Sequence, residues 1–531
     1  MSTLESDPGG AEPAARSRRR LAAVLCAVTL AAAGLHGCNA VQTQRRSIVE
    51  PGRAATVDRR SPFLKAHMLD GSVYILSGWA IDAAARTVSG RGERLDVHRN
   101  NVGGGALTLA FDSVALFETN VVAPHPAVGG MMLVTGISLG ITAACLTNPK
   151  ACFGSCPTFY VSDGARELLQ AEGFSASIAP ALEATDIDAL YLARPTSRSV
   201  EIRMTNEAME THVVRWARLL AMPRRDGERI VATQAGEFWR AISLEAPRRC
   251  SAREGDCLAT VRTLDGRERF STTDSTDLTT RELIELEFIA SGDSVGLVIA
   301  SRQTLLSTFV LYQALAFMGR KAGQFLAALQ RGDSTVRRHA GGIGRALGSI
   351  EVQAIDSTGQ WITVGQTQET GPLATDVRVV PLPPLGRGPQ KIRLRLTRGH
   401  WRIDYLALAR LSGPVAPLRL DPVQVRHNGT IDHRALGKLV DSAAALVTYP
   451  GDEYTLVYQL PEDFARYELF LESRGYYLEW MREEWMKEEN PTRLAMLLFD
   501  PEAALRAMAP EFKKHEATME ASFWGSRYVH Q

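Results

Sequence analysis

The chain has 531 residues, with 60 Lys and Arg against 59 Asp and Glu, a formal charge of +1. At 45% hydrophobic and 22% charged it is globular in composition, neither an unfolded polymer nor a membrane-embedded helical bundle. The even balance argues against the basic face that a nucleic-acid partner needs, and the length predicts roughly three folded units.

The N-terminus carries an address. Arg16, Arg18, Arg19 and Arg20 precede an uncharged run from Leu21 to Leu35, short for a membrane span and flanked as a secretory signal is. The run ends Leu35-His36-Gly37-Cys38, which resembles the lipobox of bacterial lipoproteins: a branched apolar residue three before the cysteine and a small one directly before it. The resemblance implies that residues 1–37 are removed and that the Cys38 thiol is acylated, which anchors the chain at about 0.8 kcal/mol per buried CH₂. It also implies a cell-envelope location. Asn39, where an inner-membrane retention signal would have Asp, points to the outer membrane. Residues 38–60 then read as a flexible tether.

Seven cysteines occur, with Cys26 inside the signal. In an oxidising envelope, close pairs read as disulfides. Cys250 and Cys257 enclose a polar turn and form one candidate pair. Cys152 and Cys156 form another, although Cys145 could join either of them. As a metal site, Cys145, Cys152 and Cys156 lack zinc-knuckle spacing and a nearby His, so no metal and no cofactor is expected.

From Ser61 the pattern turns to strands. Phe63–Met68 and Val73–Leu76 flank Asp70-Gly71, a pair that supplies the positive φ of a tight hairpin turn. Short strands follow near Thr87–Gly90, Ala106–Ala110 and Ser113–Phe117, so residues 61–120 resemble a small SH3-like or Sm-like barrel in pattern. Within 121–156, Val128 to Thr147 is uncharged and as long as a bilayer span, yet its glycines disfavour a helix; a buried or interfacial segment is expected.

Residues 157–300 alternate again, with Val200, Ile202 and Met204 set against Glu201, Arg203 and Thr205. Further strands are predicted at His212–Met222, Ile230–Thr233 and Ile284–Phe288. Gln303 to Gly319 is apolar and predicts a core helix running on to Leu329, within a helical insert over 301–348. Strands return over 349–412, at Ile350–Ile355, Trp361–Val364, Val377–Val380, Lys391–Leu396 and Ile403–Leu408. This sandwich-like layout resembles a discoidin-type jelly roll, a fold that often binds glycans. Residues 413–531 are mixed, with strands at Tyr454–Gln459 and Tyr467–Leu471 and a helical, aromatic tail beyond Tyr477. The predicted class is mainly β with helical inserts (α+β): a small N-terminal barrel, β-sandwich-like domains and a helical C-terminal tail.

Two stretches fit the Gly-x-Ser-x-Gly turn on which α/β-hydrolases expose a nucleophile, centred on Ser138 and Ser294. With Ser294 as nucleophile, Asp404 and His427 or His433 would complete a triad in a permissible chain order. Against this, the chain lacks alternating βαβ units, and Leu297-Val298-Ile299-Ala300 continues a strand where a helix is required. The better binding candidates are Tyr476, Tyr477, Trp480 and Trp485, which share a broad helical face and sit among arginines and glutamates. Exposed, they would dock an envelope protein or a glycan; otherwise they pack the tail onto the β core. The expected function is a membrane-anchored envelope lipoprotein acting as a non-catalytic binding or structural subunit, the alternative being a surface serine hydrolase using Ser294.

Overall fold

The computed structural model describes residues 42–49, 51–69, 72–95, 101–124, 156–206, 210–292, 294–323, 325, 341–368, 371–449, 452–461, 466–479, 485 and 487–526. The signal, Cys38, the apolar run 128–147 with Ser138, Cys145, Cys152 and Trp480 lie outside them.

As the alternating pattern predicts, strands dominate. The N-terminal six are β1 (Gln42–Val49), β2 (Phe63–Met68), β3 (Val73–Asp82), β4 (Thr87–Leu95), β5 (Asn101–Ala110) and β6 (Val114–Pro124). They form one sheet in the order β1-β6-β2-β3-β4-β5, with β1 and β5 at its edges. Two expectations change here. The segment read as a tether supplies β1, which pairs with β6 from Gln42 opposite Pro124 to Val49 opposite Phe117. Among the described residues these strands form an open sheet rather than the small barrel expected over 61–120, and a closed barrel is built from later strands. Period-two burial organises the sheet, since Leu64, Ala66 and Met68 of β2 are buried and pack its inner face beside Leu76, Val88 and Phe117.

The chain divides into two compact units, and the larger contains four sheets among the described residues. The barrel closes in the order β12-β13-β22-β17-β20, from β12 (Arg229–Ala232), β13 (Phe238–Glu245), β17 (Val295–Gln303), β20 (Asp376–Pro381) and β22 (Trp401–Pro414). Every residue of β17 is buried. Its Val298 and Ala300 fill the barrel with Val377, Val379 and Ala409. Leu297 and Ile299 face a second core shared with a six-stranded sheet. That sheet runs β15-β14-β16-β21-β18-β19, from β14 (Arg249–Ala252), β15 (Gly255–Asp256), β16 (Arg281–Ser291), β18 (Ile350–Ile355), β19 (Trp361–Thr367) and β21 (Arg387–Thr397). Cys250 and Cys257 are joined by a disulfide that staples its β14–β15 edge, as the spacing predicts.

The third sheet runs β25-β24-β27-β10-β7-β8, from β7 (Thr158–Ser162), β8 (Glu167–Glu172), β10 (Ser199–Thr205), β24 (Gln424–His427), β25 (Thr430–Ile431) and β27 (Glu453–Gln459). The fourth is built on the long pair β11 (Glu210–Pro223) and β28 (Tyr467–Glu479), with β9 (Ala184–Ala189), β23 (Leu418–Leu420) and β26 (Leu446–Thr448) beside them. Val200, Ile202 and Met204 all point into the core between these two sheets, as their alternation predicts.

The boundaries expected at 300, 348 and 412 do not separate units in space. Strands from 157–300, 349–412 and just beyond share the barrel, and β10 is flanked by β7 and β27 from opposite ends of the unit. The jelly-roll-like stretch 349–412 is divided, three of its strands going to the six-stranded sheet and two to the barrel.

Four of the described α-helices form a layer of their own, and two others pack on the sheets. α1 (Leu258–Val261) is a single turn after the disulfide. α2 (Leu306–Met318) is buried on nearly every side, as a helix without a polar face must be. It packs with α3 (Gly342–Leu347), α5 (Pro491–Phe499) and α6 (Pro501–Ser526). Gly319, at φ 50°, stops α2 well before Leu329, which shortens the predicted helix. α4 (His433–Val440) is capped by Asp432, whose carboxylate accepts hydrogen bonds from the backbone N–H groups of Arg434 and Ala435. No described helix is long and apolar enough to cross a membrane.

Candidate functional site

The proposed triad is not assembled. Ser294 is exposed at the bend between β16 and β17, and the chain runs from it directly into the buried strand β17. The strand-to-helix turn that projects a nucleophile is therefore missing. Gly296 has a packing role instead, because a Cβ there would come within 2.7 Å of Val379 Cγ2. The Ser294 carbonyl accepts a hydrogen bond from the N–H of Leu411 at 2.9 Å. Asp404 lies on the same strand as Leu411, seven residues away, about 23 Å at ~3.3 Å per residue. That distance rules out a shared site.

Asp404 is instead a turn anchor, accepting backbone N–H groups from Asp265 at 3.2 Å and Gly266 at 3.0 Å. Burial raises its carboxyl to about 6, opposed by those two hydrogen bonds and assisted by the charge of Glu268. His427 belongs to a different sheet, where its ring stacks on Tyr454 at 4.3 Å and Nε2 lies 3.2 Å from Asp452. His433 is exposed at the first turn of α4.

The aromatic shelf is not assembled either. Tyr476 and Tyr477 are on β28, not on a helix, so as neighbours they point to opposite faces. Tyr476 packs with Val213, Ala445 and Val447. Tyr477 enters the core between two sheets, and its hydroxyl donates to the Ser175 carbonyl at 3.0 Å. Trp485 is fully buried in the helical layer, 4.9 Å from the Tyr312 ring. These three hold the tail to the body. Cys156 is buried at the edge of the same two-sheet core.

Two features carry no signature in the sequence. The first is a buried joint where three sheets meet. Asp376 on β20 accepts the N–H of Ala189 on β9 at 3.1 Å and forms an ion pair with Arg378. Arg378 also donates to the Ile187 carbonyl and lies 3.8 Å from Asp186. Glu172 on β8 accepts the N–H of Leu373 at 2.8 Å. Asp188 is 3% exposed, and its Oδ2 has no hydrogen-bond partner among the described residues. Burial, and then the charges of Asp186 and Asp376, push its carboxyl well above the ordinary carboxylate range, against the pull of Arg378.

The second feature is a cleft of about 390 Å³ at one end of the barrel. The turn from Thr233 to Glu237 brings β12 back as β13, with Gly236 at φ 78° and its N–H bonded to the Thr233 carbonyl. Register sets Trp239 opposite Pro414, and the N–H of Val415 binds the Phe238 carbonyl at 2.8 Å. Trp239, Pro414 and Pro417 give the wall and Glu237 and Arg419 the polar groups, while the ring of Phe238, at the edge of the cleft, is anchored in the barrel core against Phe470. No single sequence motif could reveal it, because its two halves are about 180 residues apart and are joined only by barrel register.

No family model matches the chain, and no curated protein matches it. Among solved structures, a GH31 alpha-xylosidase from Xanthomonas citri shares 8% identity at a TM-score of 0.13, too low for a common fold. That alignment covers 81% of this chain and spans 38% of the enzyme's length.

Proposed function

We propose that the protein is a lipid-anchored lipoprotein of the bacterial envelope, acting as a non-catalytic binding or structural subunit. The observation that carries this reading is the sequence Leu35-His36-Gly37-Cys38 after a basic flank and an uncharged run. The Cys250–Cys257 disulfide agrees with an oxidising compartment. Folded β-rich sheets behind an acyl anchor suit a body held at a bilayer, and the barrel-end cleft is the place this reading assigns to a partner.

Hydrolysis by Ser294 draws no support from the geometry, since its acid partner stands about 23 Å along β22. The lipoprotein reading is tested by labelling cells with palmitate and separating membranes. The parent chain should be labelled and sediment with membranes, whereas Cys38→Ser should lose both the label and the sedimentation. A parent chain that is unlabelled and recovered with cytosolic markers contradicts it.

A further inference from the structure

We propose that the cleft beside Trp239 binds one ring of a neutral glycan, with the C–H face of the sugar on aromatic carbon and its hydroxyls between Glu237 and Arg419. The inference rests on the binding role proposed above and gives it a ligand class.

Four observations carry it. The volume, about 390 Å³, lies within the range of small-ligand sites. The wall is preformed, because Trp239 is held in a barrel strand whose neighbour Phe238 is anchored in the core 5.0 Å from the Phe470 ring, and Pro414 and Pro417 have a fixed φ, so little ordering entropy is lost on binding. Trp239 is half-buried with its Nε1 out of solvent, so it offers the cleft carbon surface and no exposed donor.

The polar groups supply the fourth observation. Glu237 is exposed and its carboxylate is an acceptor without an ion pair among the described residues. The Arg419 side chain is 56% exposed, and its Nε makes one long contact, 3.5 Å, to Glu472, which leaves its terminal N–H groups available as donors. One acceptor and one donor of opposite charge discriminate between ligand classes. An anion that pairs with Arg419 sets its charge beside Glu237, and a cation that pairs with Glu237 sets its charge beside Arg419, so neither gains the full value of its pair. A wholly apolar ligand would cover both charges and pair neither. A neutral polyol with one apolar face satisfies all of them, since each hydroxyl both donates and accepts.

The test uses the full chain in an amine-oxide detergent, because sugar-headed detergents would compete. The probe is an array carrying neutral, sialylated and amino-sugar oligosaccharides together with a proline-rich peptide. Retention on neutral glycans is expected, with Trp239→Ala weakening it by about tenfold or more, the loss of one stacked ring contact. Glu237→Gln and Arg419→Gln, which leave the wall intact, should each weaken it severalfold, and they decide the matter if Trp239→Ala does not fold. Retention on the charged sugars or the peptide in place of neutral glycans overturns the proposal, as does neutral-glycan binding unchanged in all three variants. Cys38 acylation is read separately, so the ligand and the anchor fail independently.

Discussion

Asp188 has no rescue from its surroundings: one guanidinium serves Asp186, Asp376 and itself, with Glu172 adding a fourth carboxylate. Its proton is therefore held more tightly in the folded chain than in the unfolded one, where aspartate titrates near ~3.9. Folding takes up that proton between the unfolded value and the raised folded one. The stability it contributes is complete below about pH 4 and declines as pH rises through the folded value. Asp188→Asn keeps the shape and removes the titration. In thermal melts from pH 4 to pH 9, the variant should gain on the parent steadily as pH rises, and parallel curves would contradict this. Such a joint cannot be read from sequence. Asp186 and Asp188 look like ordinary polar positions of a strand until β20 and β8 are brought against them.

Gly296 shows how an element's environment decides what a motif means. Its place in Gly292-Asp293-Ser294-Val295-Gly296 suggests a nucleophile turn, yet the barrel needs a glycine there because Val379 and the Val380 carbonyl leave no room for a Cβ. Gly296→Ala should cost about 1–3 kcal/mol in denaturant melts, while Ser294→Ala, on an exposed bend, should be close to neutral. The reverse ranking would restore a role for the serine.

Period two made the strands legible. Phe63–Met68, Val200–Met204, Ile284–Phe288 and Val377–Val380 all lie within strands of the structure. The tail was less so, because Tyr476 and Tyr477 fit a helical face and a strand equally well, and the pairing with β11 that decides between them comes from some 260 residues earlier. The shortening of α2 at Gly319 has the same origin, since an apolar run shows where a helix is buried better than where it ends.

For the molecule as a whole, strand class was legible and connectivity was not. Composition shifts at 300, 348 and 412 suggested successive domains, but pairing in the larger unit joins distant segments: β10 to β27, β11 to β28, β13 to β22. A chain cut after residue 412 loses β27 and β28, interior strands of two sheets, and should not give a cooperatively melting larger unit; a soluble fragment with a sharp transition would contradict the interleaving. The aromatic tail illustrates the same point: burial of Tyr476, Tyr477 and Trp485 bears out the alternative in which they pack the tail onto the body, while Trp239 lines the cleft only because barrel register brings β13 against the end of β22.

The proposed envelope role depends on an acylated sulfur at Cys38. Mass spectrometry of the mature protein isolated from membranes reads it directly. The expected result is an N-terminal peptide beginning at Cys38 and carrying a diacylglycerol thioether. A mature chain that retains residues 1–37, or one that begins at another residue without lipid, would contradict it.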